Sequence, residues 1–93
     1  TEAQPYFESY LVVLQFFRQT PRNKARGKDR LKKMLAIGKT MLKQGEIDLT
    51  ESLSKINFDN GISFFSTQKV KGSEDDDAIK EQEELIRNYL QLI

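Results

Sequence analysis

Cysteine and histidine are both absent from this 93-residue chain. Without cysteine there can be no disulfide, no thiolate metal site and no thiol nucleophile, and the redox compartment is left open. Without histidine the chain lacks the commonest general base and the commonest zinc ligand. Apolar runs are short as well. The longest, such as LVVL at 11–14, fall far below the roughly 20 residues that a membrane-spanning helix requires. No basic stretch followed by an apolar one opens the chain, so no signal peptide is read there.

What remains is an ordinary soluble composition, 38% hydrophobic and 31% charged. The length allows one domain with a modest core and a thin stability margin. The near-neutral total of +1 conceals two opposite poles. Arg18 to Lys33 holds eight basic residues against Asp29, a balance of +7. Glu74 to Glu84 holds seven acids against Lys80, a balance of −6. The chain opens at Thr1 and ends on YLQLI, and both ends read as cuts in a longer protein.

Periodicity organises the rest. Pro5 suits the first turn of a helix, and Tyr6, Tyr10, Val13, Leu14 and Phe17 follow at helical spacing. Phe7, Leu11 and Phe16 widen that apolar surface, which suggests a helix with a neighbour missing from this piece. RQTPRNKARGK then breaks the pattern at Pro21 and Gly27. A second helix is expected from about Lys28 to Gln44, with Leu31, Leu35, Gly38 and Leu42 in one stripe. Gly38 marks a close helix crossing, and Gly45 ends the helix as a C′ glycine. Asp48 and Glu51 have the spacing of a capping pair for a short helix through Leu53. Asn57 is then read as the cap of a segment carrying Phe58, Ile62, Phe64 and Phe65. KVKGSEDDDAIK is read as two short strands around an acidic turn, with Val70 and Ile79 facing inward. A last helix from about Lys80 carries Leu85, Ile86, Tyr89, Leu90 and Ile93.

The expected fold is therefore a single, mainly α domain over residues 1–93, winged-helix-like, with a short β-hairpin before the last helix. A winged helix raises nucleic-acid binding, with Lys55, Asn60 and Gln68 as contacts. The second helix of that pair offers no arginine to base edges, however, and the wing is acidic where phosphates would lie. Packing is the favoured use of the shape, and a nucleic-acid partner is disfavoured. A second alternative is an interaction module whose basic and acidic poles pair between chains. EDDDAIKEQEE lacks the glycine and the alternating ligands of a calcium loop, and reads instead as a solvated turn entering a helix. No catalytic, metal or cofactor-binding residue is assigned. Arg18, Arg22, Lys24, Arg26 and Lys28 are the candidate contacts to an anionic surface, either lipid headgroups or an acidic partner.

Three stretches resemble one family. PYFESYLVVLQFF is similar to the proline-aromatic-x-glutamate-x-tyrosine helix that opens the C-terminal region of the glycerol-3-phosphate and dihydroxyacetone-phosphate acyltransferases. LKKMLAIGKTMLKQGEI is similar to the leucine-rich helix that follows, with its glycine stop. ESLSKINFDNGISFFSTQKV resembles the family's next segment, and together the resemblance spans residues 5–70. It implies a parent enzyme of phospholipid synthesis that moves an acyl group from acyl-CoA or acyl carrier protein to the sn-1 hydroxyl. It also implies a histidine-x4-aspartate motif upstream of Thr1, because this chain has no histidine. The expected role is a noncatalytic domain, itself soluble, that supports or docks the catalytic domain. Through that parent it would lie at the cytoplasmic face of a membrane, with an anionic membrane surface as a further partner.

Overall fold

A helix that is apolar on more than one side must be surrounded, and this requirement sets the architecture. The computed structural model describes residues 2–93. It contains four helices, α1 (Gln4–Gln19), α2 (Arg30–Lys43), α3 (Lys55–Thr67) and α4 (Asp76–Gln91), with 3-10 turns at Arg22–Lys24, Thr50–Ser52 and Ser73–Asp75. Helix α1 runs through the middle and packs against each of the other three. Its Leu11, Val12, Val13, Leu14, Phe16 and Phe17 are all at most 3% exposed. The wide apolar surface of α1 is thus covered from within the chain. The missing neighbour inferred from its breadth is supplied by α2, α3 and α4.

Each outer helix contributes one stripe. Helix α2 buries Met34, Gly38 and Met41, α3 buries Phe58, Gly61 and Phe65, and α4 buries Ile79 and Ile86. Gly38 sits at a close crossing, as expected, since a Cβ there would run into the Leu53 side chain and lie 3.6 Å from Val12 Cγ2.

Helix ends depart from the expected boundaries by a few residues, and each shift has a local cause. Helix α2 starts at Arg30, because Gly27 and Lys28 belong to the preceding turn. It stops at a Schellman motif: Glu46 N–H donates to Met41 O at 2.9 Å and Gly45 N–H to Leu42 O at 3.2 Å. Gly45 takes φ +76°, the left-handed conformation that glycine adopts without steric penalty. Helix α3 ends in the same hydrogen-bond pattern, Val70 N–H to Phe65 O and Lys69 N–H to Ser66 O. There the left-handed position is held by Lys69, at φ 62°. The cap of α3 is Ser54, whose hydroxyl accepts the Asn57 N–H at 3.3 Å, so Asn57 lies inside the helix.

The expected hairpin at residues 70–79 is not formed, and no strand occurs among the described residues. Val70 and Ile79 both point inward and are fully buried, but without strand pairing. Backbone donors that a ladder would use go elsewhere. Ser73 N–H donates to Thr20 O at 2.9 Å, while Lys71 and Gly72 N–H donate to the Asp75 carboxylate at 2.8 and 3.2 Å. Helix α4 consequently begins at Asp76, four residues earlier than the apolar spacing suggested. Asp76 and Asp77 occupy its first turn, where negative charge favours the helix dipole. Without the wing, the winged-helix reading does not stand.

Asp48 does not cap the turn that follows it. That work falls to Glu8, on α1 and only 2% exposed. Its carboxylate accepts the backbone N–H groups of Asp48 (2.9 Å) and Leu49 (3.0 Å), the Ser52 hydroxyl (2.7 Å) and the Gln4 amide (3.0 Å). The neighbouring Ser9 hydroxyl lies 2.7 Å from Pro5 O and 2.5 Å from Ser52 O, its one proton serving either. The connector between α2 and α3 is thereby tied to the central helix. No buried side-chain polar atom among the described residues is left without a partner.

Burial pushes the Glu8 carboxyl up, but its donors from Gln4, Asp48, Ser52 and Leu49 outweigh that and hold it below its ordinary value of 4.5. A carboxyl depressed on folding contributes stability above its unfolded value and loses it as pH falls through the lower, folded value. Glu8→Gln places an amide N–H₂ against backbone donors, and about 2 kcal/mol of stability should be lost at neutral pH. Urea titrations from neutral to acid pH should show the variant's deficit shrinking below the ordinary carboxylate range. A deficit independent of pH would mean that the charge of Glu8 is not what matters.

Candidate functional site

The two charge poles meet inside the molecule. Arg18, in the last turn of α1, lies 2.8 Å from Glu83 of α4. Glu83 is also gripped by Arg87 at 2.9 Å, one turn further along α4. Desolvation raises the Glu83 carboxyl, yet the hydrogen bonds from Arg87 and Arg18 leave it below its ordinary value. Arg22 sets its guanidinium on the Asp75 carboxylate, with Nε 3.2 Å from Oδ2. The Arg22 backbone N–H donates to Glu74 at 2.9 Å.

Gly72 is pressed onto this junction. A Cβ at that position would come within 2.8 Å of Arg22 Cα and 2.9 Å of the Pro21 carbonyl carbon. Only a residue without a side chain lets the two backbones approach so closely. The acidic segment therefore folds back onto the basic loop, with Gly72 as the contact point and Asp75 as the hub. Hydrogen bonding from Arg22 is the strongest influence on Asp75, and with the Lys71 and Gly72 N–H groups it holds the carboxyl below its usual range against desolvation.

Of the five cations singled out in the sequence, Arg18 and Arg22 are engaged by α4 and the turn before it. Lys24, Arg26 and Lys28 are exposed, and none forms an ion pair among the described residues. Arg30 is shared with Asp59 at 3.5 Å, and Lys55 also reaches Asp59 at 2.9 Å. Arg18 and Arg22 thus join the basic pole to the acidic one within the chain.

Two aromatic stacks flank the N-terminal half of α1. Tyr10 stacks on Phe64 of α3 with ring centroids 5.9 Å apart, and Phe7 stacks on Tyr89 of α4 at 5.6 Å. Their outer members stay accessible, with Phe64 43% and Tyr89 52% exposed. Tyr6, one turn from Tyr10, and Leu85, one turn from Tyr89, are exposed too. The periodicity in the sequence placed these residues on helices. It did not show which of them lie at the borders of the buried stripes, because that depends on the spacing between α3 and α4.

No group of three or more histidine, cysteine, aspartate or glutamate side chains among the described residues is placed to hold a metal ion. No described helix is long and apolar enough to cross a membrane. The features on display are four packed helices, an intramolecular charge clasp, exposed aromatic rings and a short run of cations without ion pairs among the described residues.

Comparison with known proteins identifies the family. Residues 2–74 match the model of the glycerol-3-phosphate acyltransferase C-terminal region, and the chain belongs to that family. No curated protein and no solved structure matches it. The matched stretch contains α1, α2 and α3 and ends at Glu74, so α4 lies beyond it.

The clasp makes a graded expectation. Asp75→Ala removes the acceptor for two backbone N–H groups and the partner of Arg22, and should cost roughly 1–2 kcal/mol. Arg22→Ala should cost clearly less, because its guanidinium is exposed and the backbone donors keep their partner. Chemical denaturation of both variants checks the order. Equal losses would show that the ion pair, rather than the turn closed by Asp75, holds the junction.

Proposed function

We propose that this region serves a glycerol-3-phosphate acyltransferase-like enzyme as a noncatalytic support, docking against its acyltransferase portion through the aromatic face. The observation that carries this reading is the exposed set Tyr6, Phe64, Leu85 and Tyr89 on a chain of that family. The helices beneath are already packed, and each of these side chains stays at least 43% exposed. Aromatic residues exposed together are the usual anchors of protein interfaces. Acyl transfer from acyl-CoA or acyl carrier protein, in phospholipid synthesis, belongs on this reading to the remainder of the enzyme. This chain, having no histidine, would position that part.

The test uses an acyltransferase carrying this region. Replacing Phe64 and Tyr89 together by serine should lower activity at least about fivefold, the size of effect expected when about 1 kcal/mol or more of interface anchoring is lost. The same variant should become sensitive to proteolysis between the region and the rest. A thermal melt of the 93-residue chain bearing both changes controls for local unfolding. Unchanged activity and protease resistance would reject the docking face.

Lys24, Arg26 and Lys28 form the second element of the proposal. They stand on the loop between α1 and α2 without acidic partners among the described residues, and suit an anionic membrane surface beside the enzyme. Each basic residue near such a surface contributes about 1 kcal/mol, screened by salt. Sedimentation with anionic vesicles should therefore recover the chain at low salt and lose it as salt rises, with Lys24→Ala, Arg26→Ala and Lys28→Ala together reducing recovery. Equal recovery with neutral vesicles would exclude this contact.

A further inference from the structure

The loop that carries those cations also closes one side of a groove against α3, and this groove has the makings of a ligand site. Its volume is about 430 Å³, and its floor is built from Phe17, Ala25, Ile62 and Val70. Arg22, Arg26 and Lys71 stand around it with Ser66. A shallower extension continues along α3 past Ser63 and Thr67, sharing Arg26, Ile62 and Ser66 with the first part. An apolar floor with a few convergent polar groups is the general form of a small-molecule site, and such sites span roughly 300–1,000 Å³. This one lies toward the small end, with room for a single chain.

The charges around the groove are not equivalent. Arg22 is engaged by Asp75, and Arg30, at the extension, is shared with Asp59. Arg26 and Lys71 form no ion pair among the described residues. They come from different segments, the loop after α1 and the turn after α3, and meet at the same groove. A guanidinium fork beside an ammonium and a hydroxyl matches the oxygens of a phosphate or carboxylate. No exposed aromatic ring lines the rim, so base stacking by a nucleotide finds no platform there.

We infer that the groove between the Arg22–Arg26 loop and α3 binds a single-chain amphiphile with an anionic headgroup, its tail over Phe17, Ala25, Ile62 and Val70 and its head at Arg26, Lys71 and Ser66. The inference does not depend on the docking face, which lies toward the opposite, N-terminal half of α1. Failure of either leaves the other standing. The required chemistry is the same for a free alkyl anion and for a lipid drawn from a bilayer, and the experiment separates the two.

Dodecyl phosphate, kept below its micellar concentration, is titrated into the isotopically labelled chain while backbone amide shifts are followed. The expected result is saturable binding, with the largest shifts at Ala25, Ile62, Ser66 and Val70. Inorganic phosphate supplies the head without the tail, and dodecyl maltoside supplies the tail with a neutral head. Both should bind at least about tenfold more weakly, as should Arg26→Ala/Lys71→Ala, since losing a charge-assisted hydrogen bond removes about 1.5 kcal/mol or more. Both substituted residues are exposed, and the amide spectrum of the free variant reports directly that the fold is kept. Equal affinity for dodecyl maltoside would overturn the inference, as would a variant that binds unchanged. It would fail equally if shifts were confined to Phe64, Leu85 and Tyr89, or if binding occurred to anionic vesicles and never to the monomeric amphiphile.

Discussion

Enclosure of α1 is the constraint from which the rest of the molecule follows. In a chain this short, a central helix that buries Leu11, Val12, Val13, Leu14, Phe16 and Phe17 cannot share its burial with a second one. The other three helices must therefore all face inward toward the same axis. They touch α1 far more than they touch one another. Their relative positions are then poorly specified by helix-to-helix packing, and the connectors must supply the missing definition. Glu8 does so for the segment between α2 and α3 by satisfying donors from its backbone. Asp75 and Gly72 do so where the chain returns from α3 to α4.

Both connector devices use a carboxylate as an acceptor for backbone N–H groups, and they differ in exposure. Glu8 is enclosed, so its charge is worth keeping only because four donors converge on it. Asp75 is largely covered as well, but its partner Arg22 is 53% exposed and competes with water. A buried acceptor that loses its charge leaves several donors unpaired at once, whereas a surface clasp can loosen gradually. The lower rim of the bundle at Arg22 and Asp75 is for this reason the softer of the two ties, and the groove proposed as a ligand site is built directly upon it.

Much of this was legible in the residues. The four helices, the stop at Gly45, the close crossing at Gly38 and the inward direction of Val70 and Ile79 all follow from spacing and backbone preference. The family resemblance read from residues 5–70 agrees with the matched stretch of residues 2–74. Legibility ended where partners come from far along the chain. Glu8 was visible as a letter in PYFESY, but its role depends on Asp48, Leu49 and Ser52, some 40 to 44 residues away. The hairpin was expected because Val70 and Ile79 are apolar around an acidic turn. A strand needs a neighbour to accept its N–H groups, and here Asp75 and Thr20 took them first. Of the five cations, position alone could not tell Arg18 and Arg22, answered by α4 and the turn before it, from Lys24, Arg26 and Lys28.

Lys69 shows what the bundle gives up locally. A lysine in the left-handed region is disfavoured by roughly 1–2 kcal/mol relative to the ordinary helical basin, and glycine would sit there at ease, as it does after α2. The residue, however, lies just past the C-terminal end of α3, where the helix dipole favours a positive charge. It also stands two residues from Lys71, at the mouth of the groove. The junction thus exchanges backbone comfort for a cation two residues before Lys71, one of the residues that line the groove.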